Sequence, residues 1–311
     1  MTEPPLIKVT SVTFSRHAVL RRELEACFPR PGYNERGREF DPVELRSFLA
    51  DASGAVVSLA PVDDGLLSAC PRLKAIAKFG VGLDNIDQDA CRRRGVSVGW
   101  TPEVNRRSVA EVALCAMIGL RRNLFASSAL LRQGVWRKDG GRELSGCTVG
   151  ILGLGPIGRE LVLLLKPFGC KVLANDLADL SSFCGEHGVT MTSSKEELYG
   201  ASDVVSLHVP LTTQTRHLID ERALSHFRST AFLVNTSRGP VVKLAALKAA
   251  LQEGRLAGAA LDVFETEPPE DAELLSLPNL VPTPHIAGSS EEGVLAMGRS
   301  AIGHLRRHFG R

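Results

Sequence analysis

The sequence predicts an α/β protein with two domains, each built on a parallel sheet. Three observations support this class. Short β-type runs alternate with helical runs along most of the chain. Residues 148–158 contain an apolar run followed by a glycine-rich turn. A chain of 311 residues is also long for a single hydrophobic core. The combination is typical of Rossmann-like or flavodoxin-like domains, and we expect a cleft between the two.

The first hundred residues alternate four strand-type runs with four helical ones. The predicted strands are residues 7–12, 56–59, 75–78 and 96–98. The predicted helices are residues 18–27, 42–50, 63–69 and 87–94, with Asp41, Asp63 and Asp87 as starting residues. Because such alternation covers a parallel sheet on both faces, residues 1–104 are predicted to form one domain.

Two glycines, Gly80 and Gly82, directly follow the third of these strands. Glycines at the carboxyl end of a strand can turn free backbone N–H groups toward an anion, which is where open α/β sheets bind ligands. A plain strand-to-helix turn explains the same residues equally well. The sequence leaves both interpretations open.

A long helix is predicted from Arg106 to about Gly134, with Asn105 as its N-cap. Arg106 and Arg107 lie in its first turn, where the helix dipole disfavours cations. Either they meet an anion or they are tolerated as exposed charges. Residues 105–287 are predicted to form the second domain.

The glycine-rich turn reads G-x-G-x-x-G at Gly153, Gly155 and Gly158. The first glycine allows the turn, the second lets a pyrophosphate approach the backbone, and the third lets helix and strand pack closely. An ordinary α/β turn is the alternative for three glycines alone. Asp176, eighteen residues past Gly158 and at the end of the next strand, favours a dinucleotide. Its carboxylate is placed to accept the ribose hydroxyls, and no Lys or Arg follows to pair with a 2′-phosphate, so we predict NAD.

Polar residues follow each later strand of this domain. The predicted strands are residues 204–208, 231–234 and 259–263, and a short run begins at Leu280. Arg238, Glu267 and His285 come after three of these runs, on the edge where a bound cofactor would lie. Taken singly, they also fit a surface ion pair, a solvated charge and a loop histidine.

Together these three residues fit the reduction of a 2-oxo acid. His285 suits proton donation to the carbonyl oxygen, because imidazole titrates near neutral pH. Arg238 suits the substrate carboxylate, since its planar fork binds carboxylates bidentately. Glu267 is expected to orient His285 and to favour its charged form.

Composition argues against several other classes. Thirty-seven basic residues against 35 acidic ones give a net charge of +2, too small for a nucleic-acid or membrane partner. The seven cysteines form no C-x-x-C pair, so we expect no metal site and no disulfide framework. No signal peptide or membrane span is recognisable, and we expect a soluble, cytoplasmic protein.

Several blocks in order give the chain a close resemblance to the D-isomer-specific 2-hydroxyacid dehydrogenase family. The blocks are F-G-V-G-L-D-N-I-D at 79–87, N-R-R-S-V-A-E at 105–111, V-G-I-L-G-L-G-P-I-G at 149–158, L-H-V-P-L-T-T-Q-T-R-H-L-I at 207–219, L-V-N-T-S-R-G-P-V at 233–241, A-L-D-V-F-E-T-E-P at 260–268 and T-P-H-I-A-G at 283–288. The resemblance implies reversible hydride transfer between NAD(H) and a small D-2-hydroxy or 2-oxo acid. It also implies that residues 288–311 return to complete the first domain as the substrate-binding domain.

The resemblance also assigns site residues by position. Arg238, Glu267 and His285 become the catalytic residues. The cofactor residues become Gly153, Gly155, Pro156, Ile157, Gly158, Asp176, Val209, Pro210, Thr236, Ser237, Arg238, Asp262, His285 and Gly288. The substrate residues become Val81, Gly82, Asn105 and Arg238. The resemblance further implies a homodimer formed through the cofactor domain, with contacts at residues 132–136.

Two departures from the family pattern bear on function. Asn175 stands where relatives often carry an aromatic residue beside the adenine. We expect no regulatory domain after Arg311. Residues 58–61, S-L-A-P, replace the Arg-Ser type of sequence that holds a substrate phosphate in phosphoglycerate dehydrogenases. Phosphorylated substrates are therefore disfavoured. The alternative function is an NAD-sensing protein, like the corepressors that share this fold; formate- and phosphite-oxidising relatives have no sequence feature in their favour.

Overall fold

The computed structural model describes residues 4–311, which form two compact units. Unit 1 comprises the described residues up to Asn105 together with Gly288–Arg311, and unit 2 comprises Arg106–Ala287. Every strand pair in both units is parallel. The predicted α/β class with two parallel sheets is confirmed.

Unit 1 holds a five-stranded sheet. Its strands are β1 Ile7–Val9, β2 Gly32–Tyr33, β3 Gly54–Val57, β4 Ala75–Lys78 and β5 Ser97–Gly99. Its first helices are α1 Val12–Arg16, α2 Ala18–Glu25, α3 Pro42–Leu49, α4 Asp64–Ala69 and α5 Gln88–Arg93. The strand order is β2-β1-β3-β4-β5, and β3 and β4 are buried along their whole length.

Three helices of unit 1 start where aspartates were predicted to start them. The side chains of Asp41, Asp63 and Asp87 each accept a hydrogen bond from a backbone N–H in the first turn of α3, α4 and α5. These bonds satisfy donors that a helix leaves unpaired at its N-terminus. The positions of these helix starts are therefore set by local capping.

The first predicted strand, residues 7–12, is shorter in the structure. β1 ends at Val9, and Ser11 caps α1 by accepting a hydrogen bond from the Phe14 N–H at 3.3 Å. The strand ends early because the Ser11 side chain caps a helix that begins at the next residue, Val12. The two-residue strand β2 carries no periodic pattern and was not predicted.

Unit 2 holds a seven-stranded sheet. Its strands are β6 Thr148–Leu152, β7 Lys171–Asn175, β8 Val189–Met191, β9 Val204–Leu207, β10 Phe232–Asn235, β11 Gly258–Leu261 and β12 Leu280–Pro282. Its helices are α6 Arg106–Arg121, α7 Leu124–Arg132, α8 Pro156–Leu165, α9 Ser181–His187, α10 Lys195–Ala201, α11 Glu221–Ser225, α12 Leu244–Gln252 and α13 Ala272–Leu275. The strand order is β12-β11-β10-β9-β6-β7-β8. The last helix, α14 Glu291–Phe309, belongs to unit 1.

Both faces of this sheet are covered by apolar side chains. Leu233 of β10 packs in one buried cluster with Val205, whereas the next residue, Val234, packs in a second cluster with Val204. Successive side chains of a strand point to opposite faces, so the two clusters lie on opposite sides of the sheet. The polar residues after the strands are thus held by a rigid, doubly covered sheet.

The single long helix predicted from Arg106 to about Gly134 is two helices, so that prediction is wrong. The break is at Asn123, which has a left-handed backbone with φ 52°. Asparagine adopts this conformation more readily than most residues. The turn folds Phe125 back onto Gly119, where a Cβ would lie 2.0 Å from the Phe125 ring.

Asn105 does not cap α6 with its side chain. Its Oδ1 is buried and has no hydrogen-bond partner among the described residues, while its Nδ2 donates to Met297 Sδ at 3.7 Å. Burial of the side chain within unit 1 takes it away from the helix N–H groups. Arg106 and Arg107 meet an anion instead, since both form ion pairs with Glu160 of α8.

Candidate active site

The candidate site residues of unit 2 lie at one edge of its sheet. Neighbouring strands end in register, with Leu152 opposite both Asn175 and Leu207, and Leu261 opposite both Asn235 and Pro282. The carboxyl ends of parallel strands share an edge, which is where open α/β sheets bind ligands. The segments after β6, β7, β9, β10, β11 and β12 therefore meet at that edge.

The glycine turn after β6 has three geometrically distinct glycines. Gly153 has φ 96°, and a Cβ there would lie 2.7 Å from the His208 carbonyl oxygen. A Cβ on Gly158 would lie 2.2 Å from the Gly153 carbonyl oxygen, whereas a Cβ on Gly155 would meet nothing within 4 Å. The turn thus leaves open space beside Gly155, at the start of α8, where Pro156 and Ile157 begin the helix.

Asp176 ties the end of β7 to this turn. Its Oδ2 accepts a hydrogen bond from the Leu154 N–H at 2.7 Å, and its Oδ1 accepts one from the Ala178 N–H at 2.9 Å. A carboxylate oxygen can accept two hydrogen bonds. Each oxygen of Asp176 therefore keeps a lone pair for a ribose hydroxyl.

Asn235 organises the loop that carries Arg238. Its Oδ1 accepts hydrogen bonds from the N–H of Ser237 at 3.0 Å and from its hydroxyl at 2.7 Å, and its Nδ2 donates to the Arg238 carbonyl at 3.0 Å. Gly239 ends the loop with no room for a side chain, since a Cβ would lie 1.8 Å from the Phe264 carbonyl oxygen. The Arg238 side chain donates to the Ser237 carbonyl at 2.8 Å.

The polar atoms left in unit 2 fit a bound dinucleotide. Thr236 Oγ1 is buried and has no hydrogen-bond partner among the described residues, which leaves a hydroxyl for a ligand. Val209 and Pro210 follow β9 on the same edge and are partly buried and exposed, respectively. With the space at Gly155 and the lone pairs of Asp176, this edge fits an NAD molecule.

Asp262 holds the loop that carries His285. Its carboxylate accepts hydrogen bonds from the Thr283 hydroxyl at 2.6 Å and from the Ile286 and Ala287 N–H groups at 2.8 Å each. Its carbonyl accepts the His285 N–H at 2.8 Å. The resemblance implies that Asp262 lies near the nicotinamide. The sequence did not indicate that Asp262 also fixes the 283–287 loop through these hydrogen bonds.

His285 and Glu267 form a hydrogen-bonded pair. His285 Nδ1 lies 2.8 Å from Glu267 Oε2, and Glu267 Oε1 accepts the Phe264 N–H at 3.1 Å. Burial alone would raise the pKa of Glu267, but the hydrogen bond and charge of His285, the Phe264 N–H and the charge of Arg238 together lower it. Glu267 is therefore held ionised, with His285 and Arg238 close by.

This arrangement fixes which nitrogen of His285 is available. Nδ1 is engaged by Glu267, while Nε2 has no hydrogen-bond partner within residues 4–311. A carboxylate on Nδ1 orients the ring and selects the form with a proton there. Nε2 is then the atom that can give a proton to a substrate oxygen or take one from it.

The predicted substrate residues Val81, Gly82 and Asn105 lie in unit 1, as does Gly288. The sequence missed two residues that support this region. Lys78, buried at the end of β4, donates to the Ser58 carbonyl at 2.5 Å and to Asn85 Oδ1 at 2.6 Å. Trp100, just after β5, donates its indole N–H to the Val81 carbonyl at 2.7 Å. The partners lie up to 20 residues apart, so no local pattern indicates these bonds.

Comparison with known proteins agrees with this geometry. Residues 114–287 match the model of the D-isomer specific 2-hydroxyacid dehydrogenase NAD binding domain. The chain belongs to the D-isomer-specific 2-hydroxyacid dehydrogenase family. It is 41% identical over 247 residues to the glyoxylate reductase of Korarchaeum cryptofilum, which covers 76% of this chain and 74% of that protein.

Two further relatives extend the match. The chain is 38% identical over 267 residues to the D-3-phosphoglycerate dehydrogenase of Methanocaldococcus jannaschii, which covers 85% of this chain but only 51% of that protein. The D-lactate dehydrogenase of Aquifex aeolicus, solved with NAD and lactic acid, superposes with a TM-score of 0.86 at 28% identity, over 98% of this chain and 95% of that one.

Family membership identifies the chain as an oxidoreductase with NAD as its cofactor. These relatives are dehydrogenases and reductases, so the NAD-sensing alternative is not favoured. Within residues 4–311, no group of three or more His, Cys, Asp or Glu side chains is arranged to hold a metal ion. No helix in the described part of the chain is long and apolar enough to cross a membrane.

Proposed function

We propose that this dehydrogenase reduces small 2-oxo acids to D-2-hydroxy acids, with Arg238, Glu267 and His285 as its catalytic residues. The observation that carries the proposal is the Glu267–His285 pair at 2.8 Å, held beside Arg238 at the edge that fits NAD. NADH supplies the hydride when it is bound. The protein's own residues handle the carboxylate and the proton.

Each catalytic residue has one task in this proposal. The planar guanidinium of Arg238 binds the substrate carboxylate. His285 Nε2 donates a proton to the carbonyl oxygen as negative charge develops there, and takes it back in the oxidation direction. Glu267 stabilises the positive charge that His285 carries before it gives up the proton. Val81, Gly82 and Asn105 of unit 1 are proposed to contribute to substrate recognition.

We propose that the preferred substrate is a compact, unphosphorylated acid such as glyoxylate or hydroxypyruvate. In the 58–61 segment, Leu59 is exposed and Ala60 is buried, and neither side chain offers a donor to a phosphate. Lys78, the buried cation of the same unit, binds the Ser58 carbonyl. In unit 2, Arg106 and Arg107 both bind Glu160. Burying a phosphate dianion without such pairing costs several kcal/mol.

The test is a panel of 2-oxo acids assayed by NADH absorbance. Hydroxypyruvate should exceed 3-phosphohydroxypyruvate at least tenfold in kcat/KM, which is about 1.4 kcal/mol of transition-state stabilisation. A tenfold preference for the phosphorylated acid would place a cation in the substrate pocket and contradict the proposed specificity. Absence of turnover with every acid, despite NADH binding, would contradict the proposed reaction.

We also propose a homodimer formed through unit 2, in the cytoplasm. The support is an unusual apolar surface: no residue of α7 is buried, and Leu124, Leu131, Val135 and Trp136 are 56%, 54%, 47% and 77% exposed. Exposed apolar patches mark protein–protein interfaces, and these four side chains lie within residues 124–136. A second copy of the chain presents the same surface, as a two-fold interface requires.

Sedimentation of the wild type should show a dimer at micromolar concentration, and Leu131→Asp should shift it to a monomer. The matched control is Leu163→Asp, which charges another exposed apolar residue of unit 2, 43% exposed, and should leave the dimer intact. A monomeric wild type, or equal effects of the two variants, would overturn this assignment. Cell fractionation tests the compartment.

A further inference from the structure

The 79–85 loop of unit 1 contains a backbone donor without a protein acceptor. Among residues 4–311, the Gly82 N–H donates no hydrogen bond to a protein atom. Gly82 is partly buried, so its N–H remains accessible. This donor is therefore available to a ligand.

Trp100 controls the direction of that donor. Its indole Nε1–H donates to the Val81 carbonyl at 2.7 Å. The Val81 carbonyl and the Gly82 N–H belong to one peptide unit, which is planar and trans, so the two groups point in opposite directions. Fixing the oxygen on one side fixes the N–H on the other. The same hydrogen bond polarises the peptide, which makes its N–H a stronger donor.

Lys78 supports the start of the same loop. Its Nζ bridges the Ser58 carbonyl and Asn85 Oδ1, so the two ends of the 79–85 loop and the 58–61 segment are joined. Gly80 has φ 138°, and a Cβ there would lie 3.1 Å from Lys78 Cε. The loop thus rests on the lysine stem, while Trp100 sets the Val81–Gly82 peptide.

We propose that Trp100 is a positioning residue for substrate binding: its indole N–H holds the Val81–Gly82 peptide so that the Gly82 N–H binds the carboxylate of the 2-oxo acid. The inference rests on the proposed reaction. It assigns part of the substrate affinity to a side chain that acts through the backbone. Any aromatic ring would fill the space, but only one with a ring N–H reaches the Val81 oxygen in this way.

Trp100→Phe keeps an aromatic ring and removes the donor. We expect KM for glyoxylate or hydroxypyruvate to rise five- to tenfold, with kcat within about twofold, because the carboxylate contact contributes to binding in the ground state and the transition state alike. The matched control is Val43→Ala, which removes an exposed apolar side chain of α3, 76% exposed in the same unit, and should leave KM unchanged. An unchanged KM in Trp100→Phe, or an equal rise in Val43→Ala, overturns the proposal.

A binding measurement separates this proposal from the reaction itself. Trp100 and Trp136 are the only two tryptophans, and Trp136 is 77% exposed. Titrating the wild type with oxamate, an unreactive carboxylate analogue, in the presence of NAD⁺ should change tryptophan emission. The change should be lost in Trp100→Phe, and calorimetry should show oxamate bound five- to tenfold more weakly. Turnover without these effects overturns the role of Trp100, whereas no turnover and no oxamate binding in the wild type overturns the proposed function.

Discussion

His285 has a backbone conformation that its local sequence does not favour. Its φ is 54°, in the left-handed region, which costs a non-glycine residue roughly 1–3 kcal/mol. The three hydrogen bonds that Asp262 accepts from residues 283–287 and the bond from the His285 N–H to its carbonyl hold the loop in place. The strain is thereby offset by a buried carboxylate, and the imidazole is presented in one orientation.

A second histidine provides a matched control for the catalytic assignment. His217 also has a positive φ, 53°, and its Nε2 lies 3.2 Å from Glu265. We expect His285→Asn to lower kcat by about 10²–10⁴ with NADH affinity little changed, because the proton donor is lost. His217→Asn should leave kcat within about threefold. Asparagine tolerates a positive φ, so the two variants differ in chemistry and not in backbone strain.

Steady-state kinetics with glyoxylate and NADH fluorescence titrations measure both effects. A near-normal kcat for His285→Asn across pH 6–8 would mean that another group donates the proton. A comparable loss of kcat in His217→Asn would move the catalytic assignment away from the Glu267 pair.

At the scale of the element, Gly155 and Gly158 have different roles in the turn between β6 and α8. Gly158 packs its backbone against the Gly153 carbonyl, whereas Gly155 faces open space and has φ −64°, which any residue adopts. Packing between helix and strand therefore depends on Gly158. The open space at Gly155 leaves room for a pyrophosphate to approach the backbone.

Alanine at position 158 should lower stability, whereas alanine at position 155 should weaken NADH binding. Gly158→Ala places a Cβ 2.2 Å from the Gly153 oxygen and should lower the free energy of unfolding by roughly 1–3 kcal/mol. Gly155→Ala should change it by less than about 0.5 kcal/mol but weaken NADH binding, because the methyl group fills the space for the phosphates. Urea unfolding and NADH titration distinguish the two. Wild-type NADH affinity in Gly155→Ala would show that the pyrophosphate lies elsewhere.

The sequence predicted elements well where one strong local signal acts. The capping aspartates at positions 41, 63 and 87 and the apolar runs of β6, β7 and β9 are such signals, and the structure has the predicted elements there. The prediction of one long helix failed at Asn123, where the chain turns and Phe125 packs onto Gly119. The strands β2 and β8 are too short to show a period of two.

The candidate site shows the same division. A motif indicates which side chains carry the chemistry, so the sequence predicted Arg238, Glu267 and His285, and their roles stay predictions until tested. The sequence did not predict the hydrogen bonds that hold these side chains and the substrate loop in place. Asn235 and Asp262 act through bonds to backbone atoms, and Trp100 acts on Val81, 19 residues earlier. Such bonds depend on the order of the strands in a sheet, and the spacing of nearby residues does not predict that order.

At the scale of the whole molecule, stability should depend on pH through a histidine other than His285. His208 follows β9, and its Nε2 lies 2.9 Å from Ser206 Oγ, while its Nδ1 is buried without a hydrogen-bond partner among the described residues. Burial disfavours the charged imidazolium and lowers the pKa of His208 to about 4. The imidazole is therefore neutral in the folded protein at neutral pH.

This lowered pKa sets the direction of the pH effect. An unfolded chain protonates the histidine near pH 6.5, but the folded protein does so only near pH 4. Between these values the unfolded state binds more protons, so the free energy of unfolding should fall as the pH is lowered through this range, by about 2–3 kcal/mol from this residue. Urea unfolding at pH 7.5 and pH 4.5 measures the fall. His208→Gln keeps a polar side chain but cannot take up a proton, so its fall should be smaller by that amount; equal falls in both proteins would show that His208 titrates alike in the folded and unfolded states.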